Sequence, residues 1–204
     1  MAPQYKLTYF NISALGEPIR FLLSYGNIDF EDVRIEREQW PSLKSTTPFG
    51  QLPLLEHNGK VVNQSMAIAR YCAKLVKLTG SNDWEDLEID SVVDTISDLR
   101  SKIAEFQKEQ NEELKASKKK QVIEVTIPFY IERLEEKVKN NDGYLACKKL
   151  TWADLYFVAL LDMVNVRVGK NIIENAPSLQ KLREKVLALP GIKAWIAKRP
   201  KDRV

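Results

Sequence analysis

The run Phe49-Gly50-Gln51-Leu52-Pro53-Leu54-Leu55-Glu56-His57-Asn58-Gly59-Lys60-Val61-Val62-Asn63-Gln64-Ser65, continuing as Met66-Ala67-Ile68-Ala69-Arg70-Tyr71, leaves its backbone few options. Asn58-Gly59 predicts a two-residue hairpin turn, because that turn needs positive φ at both central positions. It joins a short apolar strand over 54–56 to a second one over 60–62. Gln64-Ser65 then opens a helix that turns Met66, Ile68, Ala69 and Cys72 toward a core. Pro53 begins the first strand, which holds Leu52 extended with its backbone groups outside the sheet on one side. The polar pair sits at a helix start, where free N–H groups and the helix dipole favour a carboxylate. An edge-strand proline and an ordinary helix cap would explain the same two features without a ligand.

At 204 residues the chain has enough material for one large domain or two small ones. Hydrophobic residues at 44% and charged residues at 29% describe an ordinary soluble globular protein. The balance of 31 basic and 28 acidic residues is too even to imply nucleic acid. Lys118-Lys119-Lys120 and Lys198-Arg199-Pro200-Lys201 interleave no aromatics and read as solvated faces. Cys72 and Cys147 form no CxxC, so reduced thiols in a cytoplasmic protein are expected. One histidine, His57, gives little material for a Ser-His-Asp triad or a histidine metal site. The polar start from Gln4 predicts no signal peptide. The apolar run over 157–164 is broken by Asp162 and is too short to span a bilayer.

Along the chain, 6–9 predicts a first strand and 17–25 a helix with Pro18 in its first turn, where a missing N–H costs nothing. A second strand over 30–35 completes a βαβ unit with parallel pairing. A short irregular helix near 38–44 leads into the hairpin, so a first domain over 1–76 reads βαβ then ββα. Residues 77–82, with Gly80-Ser81, form a linker by composition. Beyond it Ile89, Val92, Ile96, Leu99, Ile103 and Phe106 recur at steps of three and four, one helical stripe. A long helix over 117–140 follows, with Pro128 expected to kink it. Thr151 and Asp154 make a capping box, with Leu150 and Leu155 as a hydrophobic staple, opening an apolar helix over 152–168. Helices near 178–188 and 192–198, separated by Pro190-Gly191, complete an all-helical domain over 83–204.

Tyr5-Lys6-Leu7-Thr8-Tyr9-Phe10-Asn11, Glu38-Gln39-Trp40-Pro41, Lys44-Ser45-Thr46-Thr47-Pro48-Phe49-Gly50 and Thr151-Trp152-Ala153-Asp154 extend the opening stretch into a family likeness. Together they resemble the sigma-class cytosolic glutathione transferases, in the right order over nearly the whole chain. The resemblance implies an N-terminal thioredoxin-like α/β domain followed by an all-α domain, with a cis bond before Pro53. It implies glutathione as co-substrate and Tyr9 as the catalytic residue, donating its O–H to the glutathione sulfur. A donor to a thiolate lowers a thiol pKa that is otherwise roughly 8.5. No cysteine stands in Tyr9-Phe10-Asn11-Ile12, which argues for an external thiol.

The glutathione contacts that the family implies fall on Trp40, Lys44, Gln51, Leu52, Pro53, Gln64 and Ser65. Asp98 would reach the ammonium of glutathione bound to the other subunit of a homodimer, which gives the row Asp90, Asp94, Asp98 a counter-charge. A solvated acidic face is the plainer explanation of that row. An apolar small-molecule electrophile is expected in a pocket of Phe10, Leu15, Tyr156, Leu160 and Val204. Two positions depart from the related prostaglandin D synthases. Leu15 stands where those enzymes carry an arginine, and Asp94, Ser97 and Asp98 stand where they cluster three aspartates. No metal is therefore expected. Conjugation of glutathione to apolar electrophiles is the leading function. A glutathione-dependent isomerase or lipid-hydroperoxide peroxidase is the alternative within enzymes, and a structural crystallin or glutathione-binding adaptor the alternative outside them.

Overall fold

The structure is a computed structural model that describes residues 4–200. Two compact units divide the chain: residues up to Leu78 together with those from Leu187 on, and Thr79–Val186.

The first unit is built on β1 (Tyr5–Phe10), β2 (Phe30–Ile35), β3 (Leu54–His57) and β4 (Lys60–Asn63), in the order β2-β1-β3-β4. β1 and β2 are parallel, as the helix between them requires, and the other pairs are antiparallel. β1 alternates strictly, with Tyr5, Leu7 and Tyr9 buried and Lys6, Thr8 and Phe10 half-buried. Asn58 and Gly59 take φ of 51° and 73°, the doubly left-handed turn that the hairpin needs. Helices α1 (Glu17–Tyr25) and α3 (Ser65–Leu75) pack on each other and bury Ile19, Leu22, Leu23, Ile68, Ala69 and Cys72. Met66, expected on the same core side, is only half-buried. The irregular helix expected near 38–44 is a 3₁₀ turn, Arg37–Gln39, then the single turn α2 (Trp40–Leu43) and a second 3₁₀ turn, Lys44–Thr46.

The second unit begins with α4 (Asp83–Lys108), whose stripe Ile89, Val92, Ile96, Leu99, Ile103 and Phe106 is wholly buried. The next helix departs from the expected 117–140. α5 (Glu112–Gln121) starts earlier, because the Asn111 side chain accepts the N–H groups of Glu113 and Leu114. A π turn, Val122–Thr126, separates it from α6 (Ile127–Asn140). Pro128 has no N–H for the carbonyl of Glu124, and its ring crowds that carbonyl, so the widened turn falls just before it. α7 (Trp152–Val168) is buried around nearly its whole circumference and packs on α4. α8 (Pro177–Ala188) crosses the boundary between the units.

α9 (Pro190–Lys198) differs from the sequence expectation twice. It starts at Pro190 rather than after it, since proline suits the first helical position. It also belongs to the first unit, packed on α1 rather than counted with the helices of 83–204. Gly191 permits this contact, because a Cβ there would stand 2.0 Å from the carbonyl oxygen of Ser24. The fold is thus a thioredoxin-like α/β unit and an all-helical unit.

Candidate functional site

Strand register gathers the N-terminal candidates at one end of the sheet. Thr8 pairs with Leu54, and Leu54 pairs with Asn63. Tyr9, Pro53 and Gln64 are the next residues beyond these pairs, so they fall at the same end of the sheet. The ladders stop at Leu54, so the main chain of Leu52 stands outside them. The Leu52–Pro53 peptide is cis.

Gln64 turns the chain from β4 into α3 with φ 79° and ψ 101°, a sparsely populated conformation for a residue with a side chain. Such backbone costs about 1–3 kcal/mol and persists where the surroundings enforce it. Its side chain makes no cap to α3, so the first-turn N–H groups beginning at Ser65 have no side-chain acceptor from that residue. Instead, Gln64 Nε2 donates to Gln51 Oε1 at 3.4 Å, bringing two of the expected contacts together. Lys44 lies against Gly50, where an added Cβ would meet Lys44 Cε at 3.2 Å. Trp40 meets Phe10 edge-on at 5.5 Å between ring centres, and Phe10 meets Tyr9 at 5.7 Å. The rings and amides thus link Tyr9 to Trp40, Gln51 to Gln64, and Lys44 to the segment just before Gln51. A hollow of about 300 Å³ opens beside Phe10, Asn11 and Ile12, facing Glu36 and Arg37.

Tyr9 is buried, with 6% of its surface exposed. Gly16 presses on its ring, since a Cβ there would stand 2.7 Å from Tyr9 Cδ1. Beneath this contact lies a charged cluster that the sequence reading missed. Glu17 and Arg20 on α1 are fully buried and paired at 3.2 Å, and Arg20 Nε meets Asp32 at 2.8 Å. The signal was present: two charged residues interrupt a helix whose apolar residues imply burial on more than one side.

The remaining candidates divide by unit. Leu15 and Phe10 are half-buried in the first unit. Tyr156 and Leu160 are buried on α7 in the second, and burial raises the Tyr156 phenol above its ordinary pKa, with Ser97 of α4 close by. Asp94 and Asp98 are exposed on α4, and Asp90 is half-buried. Val204 lies outside the described residues. Among the described residues no three histidine, cysteine or acidic side chains are grouped as a metal ion would require.

Residues 5–74 match the glutathione S-transferase N-terminal domain, and residues 97–199 match the glutathione S-transferase C-terminal domain. The chain belongs to the glutathione S-transferase family, in its sigma-class-like branch. A glutathione S-transferase of Anopheles gambiae is 52% identical over 97% of this chain and 98% of its own length. Human hematopoietic prostaglandin D synthase is 36% identical over 99% of this chain and 100% of its own. Among solved structures, prostaglandin synthase D of Nilaparvata lugens superposes with a TM-score of 0.94 at 51% identity, covering 98% of this chain and 100% of that one.

Proposed function

We propose that the chain is an enzyme that binds glutathione across the end of the first unit's sheet and transfers it to apolar electrophiles. The observation that carries this reading is the register that ends at Thr8, Leu54 and Asn63, which puts Tyr9, Pro53 and Gln64 at one end of the sheet with a helix start at Ser65 that the Gln64 side chain does not cap. The free main chain of Leu52 pairs with the cysteinyl residue of glutathione, which sets its sulfur at the Tyr9 hydroxyl. Ser65 and the first N–H groups of α3 take the γ-glutamyl carboxylate, where the helix dipole favours negative charge. Lys44 takes the glycyl carboxylate, and Trp40, Gln51 and Gln64 close the sides.

With the thiol so held, the Tyr9 O–H donates to the sulfur and favours its ionised form. The thiol proton leaves to solvent, and the thiolate forms a carbon–sulfur bond as the electrophile's leaving group departs or its double bond takes up a proton. The electrophile sits against Phe10 and Leu15 of the first unit. Leu15 places an apolar side chain rather than a cation beside the sulfur, which suits flat apolar substrates. The enzyme acts in the cytoplasm as a homodimer, with Asp98 of each subunit reaching the ammonium of glutathione on the other. The exposed aromatic Phe49, 88% accessible next to Gly50 and Gln51, supports a partner surface beside this site.

Two relatives named as prostaglandin D synthases favour glutathione-dependent isomerisation as a second reading. Rates with glutathione and a chloronitrobenzene, a lipid aldehyde, an organic hydroperoxide and a prostaglandin endoperoxide separate the two. Conjugation of the first two is expected to dominate, with little stimulation by magnesium. Efficient magnesium-stimulated isomerisation without conjugation would select the second reading, and glutathione binding without turnover of any of them would leave an adaptor.

A further inference from the structure

Burying a guanidinium is costly unless its charge and its donors are all engaged. Arg20 is buried completely; its Nε and Nη1 are engaged in two directions, while Nη2 has no hydrogen-bond partner among the described residues. Its Nε pairs with Asp32 at 2.8 Å, while Nη1 pairs with Glu17 at 3.2 Å and donates to the carbonyl oxygen of Ile12 at 2.9 Å. Ile12 lies in the loop that leaves β1 just after Tyr9, so this bond ties α1 to the segment carrying Tyr9. The guanidinium carbon is 5.9 Å from the centre of the Tyr9 ring. Gly16 lies between them, and a Cβ there would meet both the ring and Arg20 Nη1. Glu17 is held in turn by Trp195 Nε1 at 2.8 Å and Arg199 Nη1 at 2.6 Å. Asp32 also accepts Arg34 Nε at 2.7 Å, Arg34 Nη1 reaches Asn11 Oδ1 at 3.4 Å, and Asn11 Nδ2 donates to Glu36 at 3.0 Å. Both residues that follow Phe10 are therefore tethered from outside the loop.

We infer that Arg20 is a positioning residue for Tyr9, bridging Glu17 and Asp32 to the Ile12 carbonyl so that the phenol O–H keeps one direction toward the glutathione sulfur. This rests on the glutathione reading above. A hydrogen bond weakens steeply as it bends, so a ring free to tilt stabilises the thiolate less. The contacts at Trp40, Lys44, Gln64 and Ser65 do not depend on that tilt, so glutathione still binds. Lysine is no substitute, because a single ammonium cannot reproduce the fork that serves Asp32 and the carbonyl together.

The test follows thiolate absorbance of the glutathione complex against pH in wild type, Arg20→Lys and Asn11→Ala, with calorimetric affinity and melting temperature measured alongside. Asn11→Ala cuts the outer tether and leaves the buried ion pairs intact. In Arg20→Lys the bound thiol is expected to titrate about one unit higher, equivalent to about tenfold less thiolate at neutral pH. Turnover of a chloronitrobenzene should fall by a similar factor, with glutathione affinity within about twofold of wild type. Asn11→Ala should shift the titration the same way by a smaller amount. A folded Arg20→Lys whose bound thiol titrates as in wild type overturns the inference, since a merely structural role lowers the melting temperature alone. If Arg20→Lys does not fold, an unshifted titration in Asn11→Ala overturns it instead. A wild-type protein that gives no thiolate signal with glutathione removes the glutathione reading itself, and the positioning role with it.

Discussion

At Tyr9 one hydroxyl separates a packed aromatic from a partner for a thiolate. Tyr9→Phe keeps the ring against Gly16 and Phe10, so fold and glutathione affinity should survive. Turnover at neutral pH is expected to fall about tenfold to a hundredfold, because a thiol pKa lowered by roughly two units corresponds to about 2.7 kcal/mol favouring the ionised form. The deficit should shrink as pH approaches about 9, where the free thiol ionises by itself. Coincident pH–rate profiles for wild type and mutant would make Tyr9 a structural aromatic. The two thiols of the protein are set the opposite way. Burial pushes Cys72 up to about 12, and burial together with the carboxylates of Glu85 and Glu88 pushes Cys147 up to about 11. Both stay protonated near pH 7, so maleimide should label the native protein far more slowly than the unfolded one. Fast stoichiometric labelling of one thiol per folded chain would contradict that ordering.

Among the elements, α7 depends on the capping box that the sequence predicts at Thr151 and Asp154. The Asp154 carboxyl accepts the N–H groups of Thr151 and Leu145, each at 2.8 Å, in a fully buried setting. Asp154→Ala strands the buried N–H groups of Thr151 and Leu145 at about 1–3 kcal/mol each, so chemical denaturation should show a loss of about 2 kcal/mol or more. Burial raises this carboxyl from 3.8 to about 6, although those N–H donors pull it back toward ionisation. An acid whose folded pKa is raised holds its proton more tightly when folded. Its stabilising contribution is therefore full below about pH 4 and is lost as pH rises through about 6. Asp154→Asn does not titrate, so melting temperatures compared from about pH 4 to 7 should shift against wild type across that window. A pH-independent difference would mean that the donors outweigh burial. The box was legible because all its residues are local. The π turn before Pro128 was not, because a proline announces a disturbed helix without saying whether it bends, breaks or widens.

For the whole molecule the expected assembly is a homodimer with shared sites, drawn from the aspartate row on α4 and the exposed Phe49. Sedimentation should give twice the chain mass. Asp98→Ala should weaken glutathione binding by about 1.5–3 kcal/mol, the scale of a charged hydrogen bond. A fully active monomer would end the shared-site reading, and an unchanged affinity would remove Asp98 alone from it.

By itself the sequence determined what local rules control: the Asn58-Gly59 turn, the alternation of β1, the stripe of α4 and the box that starts α7. Each depends on residues a few positions apart, where steric and hydrogen-bonding preferences act directly. Only the tertiary structure decided that α9 returns to the first unit, since that contact joins residues more than 160 positions apart through Gly191 and Ser24. It also decided that Glu17 and Arg20 are buried. Charged residues in a helix ordinarily read as its solvated face. What holds these two inside is a set of partners at Asp32, Trp195 and Arg199, which no local pattern can assemble.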